Sequence, residues 1–217
     1  MEERMKRACV GIDSCDGLQN TMVVAGSKED IDTIHKIMMD ILGNNGIKVP
    51  HFKNISRSKR ETISKQIIGL FRNANKVSFV LFEHKKPMGV SKKSYYFDYI
   101  PEKLIEHLCG FDTRNRFMMI EVHDDYNVYG MQTKDFVEAV LRRLSRRLSG
   151  DDKGIKIISE GEYENSKLKS KSGNYIKIRG VVVRGLVSKS INIADMSMGF
   201  YKNYPKLFSG KIRFREI

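Results

Sequence analysis

The chain has 217 residues, 41% of them hydrophobic, which is enough apolar material for a sizeable core and excludes a chain disordered throughout. Its 39 Lys and Arg against 26 Asp and Glu leave a formal charge of +13, a surplus that favours a polyanionic partner, nucleic acid above all, through phosphate contacts and counterion release. Cys9, Cys15 and Cys109 are odd in number and form no CxxC pair, so neither a structural zinc site nor a disulfide framework is expected, and the expected location is the reducing cytoplasm. No apolar run approaches the roughly 18 residues that span a bilayer. The charged start MEERMKR precedes no signal-type apolar region, so no membrane association is expected.

The first predicted element is a β-hairpin over Ala8–Gly26. The apolar run Ala8–Ile12 ends in Asp13, a polar turn follows with Ser14, Asp16, Gly17 and Asn20, and a β-rich run continues over Thr21–Ala25. A carboxylate at the end of a buried strand is costly unless something pairs with it. Asp13 therefore has two readings: a metal ligand, with Asp16 as a weaker neighbour, or an Asp bonded to its own turn. Ser27 and Asp30 then resemble a capping box, ahead of Ile31, Ile34, Ile37, Met38, Ile41 and Leu42 at helical spacing. Gly43–Gly46 stops that helix. Lys48–Ser58 reads as a short extended segment and turn, in which His51 is either a ligand or base or an ordinary residue. A second helix uses Ile63, Ile67, Ile68, Leu70 and Phe71, and Val77–Phe82 reads as a buried strand.

Glu83–Lys93 carries Lys85, Lys86, Lys92 and Lys93 ahead of Tyr95, Tyr96 and Phe97. Lysines interleaved with aromatics can hold a single strand by phosphate contact and base stacking, which makes Lys85 and Lys86 candidates. The plain alternative is a solvated loop before a helix over Tyr99–Leu108. Arg116–Val122 is the next predicted strand, running into Glu121, His123, Asp124 and Asp125. On a strand Glu121 and His123 share a face, with Asp124 and Asp125 at or just past its end. Thr133–Leu148 predicts an amphipathic helix whose polar side carries Arg142, Arg143, Arg146 and Arg147. That stripe can track a phosphate backbone, or simply be solvated. Ile155–Ser159 reads as a short strand, Glu160–Gly173 as a loop, and Tyr175–Val187 as containing a strand. A helix follows through Ile191, Ala194, Met198 and Tyr201, with Ser190 as its cap. Asp195 falls in its early part, where the helix dipole favours a carboxylate. The tail KIRFREI is short and basic.

No repeat or Gly/Ser linker divides the chain, so one α/β domain over residues 1–217 is expected, and the hairpin argues for a mixed sheet. The segment SKSINIADMSMGF resembles the C-terminal motif of the DUF3800 family, with Ala194-Asp195 matching its Ala-Asp and Ser188-Lys189 its upstream part. GIDSCDG is similar to that family's opening strand: Asp13 matches, and Ser14 stands where the family has Glu. HFKNISRSKRETISKQI resembles its central His-containing segment, and EVHDDY falls where an acidic residue ends a later core strand. The resemblance spans most of the chain. It implies an α/β ribonuclease H-like fold, a mixed sheet with an opening β-hairpin flanked by helices, and a nuclease activity.

Such sites gather carboxylates around Mg²⁺ or Mn²⁺, ions that prefer oxygen ligands. Asp13, Asp124 and Asp195 are then the expected metal ligands and catalytic residues, with Glu121 or Asp125 replacing or accompanying Asp124. His123 is a candidate for proton transfer. The expected function is a divalent-metal-dependent phosphodiesterase acting on nucleic acid. The alternative is a non-catalytic nucleic-acid-binding or assembly protein on the same fold, relying on the arginine stripe.

Overall fold

In the computed structural model, the described residues are 7–15, 20–83, 89, 91, 94, 98–108, 117–124, 127–128, 131–150, 154–165, 168–169, 175–185, 187–208 and 213–216. Asp16, Lys85, Lys86, Cys109 and Asp125 lie outside them. Strands β1 (Arg7–Cys15) and β2 (Asn20–Ser27) pair antiparallel as the predicted hairpin. Helix α1 (Lys28–Asn44) starts on Ser27, whose hydroxyl accepts from the Asp30 N–H at 3.1 Å. The segment after it is a single 3-10 turn (Phe52–Asn54) leading into α2 (Arg57–Asn73). Strand β3 (Ser78–Glu83) is buried along its middle, and α3 spans Ile100–Leu108. Then come β4 (Phe117–His123), the small hairpin β5 (Asn127–Val128) and β6 (Met131–Gln132), and α4 (Thr133–Ser149). The last third holds β7 (Ile155–Ser159), β8 (Glu162–Asn165), β9 (Leu168–Lys169), β10 (Tyr175–Val183), α5 (Lys189–Asn203), the short α6 (Pro205–Phe208) and β11 (Arg213–Glu216).

These strands form an open mixed sheet in the order β11-β3-β2-β1-β4-β10-β8-β7, with β9 pairing on β10. β1, β4 and β10 run parallel, while β1, β2 and β3 form an antiparallel meander. Strand alternation sorts the core into two layers. Ala8, Val10, Ile12, Ile120 and Val122 pack with α3 and α4 on one face. Cys9, Met22, Val24, Phe79 and Leu81 pack with α1, α2 and α5 on the other. Cys9 is a free thiol there, and burial pushes its pKa up. By the same alternation Gly11, Asp13, Glu121 and His123 belong to the α5 face.

Three expectations change. The segment read as a loop after Ser159 contains β8, which pairs with β7 and β10 and buries Tyr163 and Asn165. Its residues, Glu-Tyr-Glu-Asn, are polar, so pairing rather than composition makes it a strand. The basic tail contains β11, parallel to β3, for the same reason. Helix α5 begins one residue before Ser190, and its cap is Ser188, whose hydroxyl accepts from the Ile191 N–H at 3.3 Å. Asp195 consequently sits in mid-helix, beyond the first turn where the dipole acts. Among the described residues no helix is long and apolar enough to cross a membrane.

Candidate functional site

The parallel pairing of β1 with β4 sets the geometry. Gly11 lies opposite Glu121 and Ile12 opposite Val122, so the next step along both strands brings Asp13 beside His123. Asp13 Oδ1 and His123 Nδ1 are 3.1 Å apart. The Asp13 residue is only 3% exposed, whereas the His123 side chain keeps 22% of its surface. A buried carboxylate at a strand end has thus been given an imidazole partner, as its desolvation demands.

Gly11 explains why α5 can reach over this pair of strands. A Cβ there would lie 2.4 Å from the Ser190 carbonyl carbon, so only glycine lets the first turn of α5 sit against β1. From that seat Ser188 and Ser190 both donate to Glu121 Oε2, at 2.8 and 2.6 Å. Glu121 therefore lies at the start of α5, held by two hydroxyls and favoured by the helix dipole.

Asp195 faces a different neighbour. Its Oδ2 is 3.1 Å from His51 Nδ1 and accepts from the Phe52 N–H at 2.9 Å. Phe52 packs edge-on against Phe200, with ring centroids 5.1 Å apart, and fills the space over Gly199, where a Cβ would be 2.1 Å from the ring. The Arg60 guanidinium lies over the Phe52 ring, 4.7 Å from its centroid. Asp195 thereby clamps the 3-10 turn onto α5. Beside it runs a polar seam between α1 and α5: Lys189 donates to Asp32 at 2.9 Å, and Asn192 meets His35 at 3.3 Å. The hydrogen bond from Lys28, followed by that from Lys189, holds the Asp32 carboxyl below its usual range. Burial, aided by the Lys189 charge, pushes His35 below its ordinary value.

Asp124 turns outward. Its Oδ2 accepts from Arg184 Nε at 3.1 Å, and it lines a cavity of about 610 Å³ with Gln132, Lys134, Glu160, Gly161, Val182 and Arg184. The structure therefore joins Asp13 to His123, places Glu121 one pair back on the same face, and gives Asp124 and Asp195 separate partners. Among the described residues no three His, Cys, Asp or Glu side chains are gathered so as to hold a metal ion. The candidates Asp16 and Asp125 are outside those residues.

The arginine stripe is in a different place again. Arg142 bonds Glu138 at 2.8 Å, and Arg143 pairs with Asp98 and, at 3.9 Å, with Glu102. Arg146 and Arg147 are exposed. All four are on α4, which packs on the sheet face opposite α5, so the stripe and the Asp13–His123 pair lie on opposite sides of the sheet. Three contacts had no signal in the linear pattern: His51 with Asp195, and Ser188 and Ser190 each with Glu121. Their partners are 144, 67 and 69 positions apart. The chain was compared with family models, with curated proteins and with solved structures, and it matches none of them.

Proposed function

We propose that the protein is a phosphodiesterase acting on nucleic acid, with Asp13 and His123 at its centre. The observation that carries this reading is the Asp13–His123 contact at the carboxyl ends of two adjacent parallel strands. In open α/β sheets that end is where ligands bind. The order β3-β2-β1-β4-β10, an antiparallel meander continued by parallel strands, supports a ribonuclease H-like sheet.

Asp13 fixes the His123 ring through the Oδ1–Nδ1 contact at 3.1 Å. In hydrolysis a water oxygen attacks phosphorus and the bond to the leaving oxygen breaks. His123 takes the proton from the water and returns it to the leaving oxygen. Bound Mg²⁺ or Mn²⁺ would neutralise charge at the phosphate, and Asp13 is the oxygen ligand that would hold it.

The test is incubation of the purified chain with labelled DNA and RNA panels, with and without Mn²⁺. Asp13→Asn is expected to abolish cleavage, and His123→Ala to lower it by about 10²- to 10⁴-fold. Undiminished cleavage by both folded variants overturns the assignment. A second reading is favoured by one observation: Glu121, Asp124 and Asp195 each already have a hydrogen-bonding partner of their own. A non-catalytic nucleic-acid-binding or assembly protein on the same fold would bind in a salt-sensitive way and turn nothing over with Mn²⁺.

A further inference from the structure

The cavity beside Asp124 has a composition that the fold does not require. It opens at the carboxyl ends of β4 and β10, on the α4 face of the sheet: Gln132 and Lys134 stand at the start of α4, and Val182 packs against the α3–α4 core layer. Its floor is Gly161 and Val182, joined by the Val182 N–H donating to the Gly161 carbonyl at 2.9 Å. Gly161 has φ +77°, and a Cβ there would press on Val182 at 3.0 Å. Around that floor stand two cations, Lys134 and Arg184, two carboxylates, Asp124 and Glu160, and the Gln132 amide.

The two cations are available in different ways. Lys134 is half-buried and has no ion pair or hydrogen bond among the described residues. Arg184 is paired with Asp124, but its side chain is 82% exposed. Ion pairs that open to water contribute about 0–1 kcal/mol, so a phosphate can compete for the guanidinium. The α4 arginines are poorer candidates. Two of them are engaged by Glu138, Asp98 and Glu102, and none of the four lines this cavity at the strand ends.

We infer that this cavity, and not the α4 stripe, is the strand-binding subsite: it takes one nucleotide of a single strand, with the phosphate on Lys134 and Arg184. The inference rests on the nucleic-acid reading given above. A volume of about 610 Å³ lies in the range of small-ligand sites and suits one nucleotide unit; a stacked duplex is far too wide to enter. The phosphate meets the two cations, while Gln132 and Glu160 offer an amide and a carboxylate to sugar hydroxyls or base edges.

The experiment is fluorescence anisotropy of labelled oligothymidine and oligouridine against the full chain across a salt series. Lys134→Glu and Arg184→Glu are each expected to weaken binding about tenfold or more, and to lower the slope of log K against log salt by about one. Arg146→Glu/Arg147→Glu is the control, expected to stay within about twofold. The reverse pattern, or no binding by the wild-type chain at low salt, overturns the subsite. Thermal melts of each variant identify a binding loss that is only unfolding, and a loss of that kind also counts against it. Asp13→Asn separates the two claims. Cavity-dependent binding with no turnover removes the phosphodiesterase and leaves the subsite. Asp13-dependent cleavage with KM unchanged in Lys134→Glu removes the subsite and leaves the phosphodiesterase.

Discussion

Asp195 accepts from a backbone N–H and meets an imidazole, so removing its carboxyl strands both partners in a half-buried position. Leaving such groups unsatisfied costs about 1–3 kcal/mol. Asp195→Ala is therefore expected to lower Tm by about 2–12 °C, at about 2–4 °C per kcal/mol for a chain of this size. A calorimetric scan checks it; an unchanged Tm would mean that the His51 and Phe52 contacts contribute nothing. Asp13→Asn keeps the size and one acceptor oxygen, so its larger effect is expected on turnover. Comparing the two variants by melt and by cleavage separates a residue that clamps from one that reacts. Glu121 belongs with the clamping group: its carboxylate is taken up by Ser188 and Ser190.

Helix α5 is seated on β1 by a contact that allows almost no substitution at Gly11. Gly11→Ala would put a methyl group 2.4 Å from helix backbone, which no side-chain rotation relieves. Overpacking of this kind costs about 1–3 kcal/mol or more. Denaturant unfolding is the measurement, and a Gly11→Ala midpoint equal to wild type would refute the close packing of α5 on β1. Ser188→Ala removes the cap and one of the two hydroxyls on Glu121. A cap alone contributes about 0.5–2 kcal/mol, so the same titration is expected to show a loss in that range, and Ser188→Thr a smaller one. At this scale α1, α2, α4 and β3 were legible because helical spacing and unbroken apolar runs are local properties. β8 and β11 were not, because polar and basic residues become strands there only by pairing with β10 and β3.

The stability of the whole molecule should fall at both ends of the pH range. His35 is pushed below 6.5 by burial, so the unfolded chain binds its proton more readily. Stability is then full above about pH 6.5 and declines as pH falls from there towards the depressed folded value. Tyr163 is pushed from 10.0 up to about 12, first by burial and then by the Glu138 charge. Its contribution is present below pH 10 and is lost as pH rises towards about 12, each unit being worth about 1.4 kcal/mol. Melting curves of the wild type and of His35→Asn and Tyr163→Phe check both windows. An acid limb unchanged in His35→Asn, or an alkaline limb unchanged in Tyr163→Phe, would assign that loss to other groups.

The sequence by itself determined the apolar alternation of the strands, the amphipathic helices, the opening hairpin and the basic surplus. Each of these follows from residues a few positions apart, where backbone geometry repeats. It also singled out Asp13, since a carboxylate ending a buried strand needs a partner. The identity of that partner was decided by tertiary structure: His123 is 110 positions away and is reached only through the parallel register of β1 on β4. Register likewise put the α4 arginines on the far face of the sheet, and gave Asp124 to Arg184 and Asp195 to His51. Strand pairing and helix seating are set by long-range packing, and a linear pattern of residue types does not contain them.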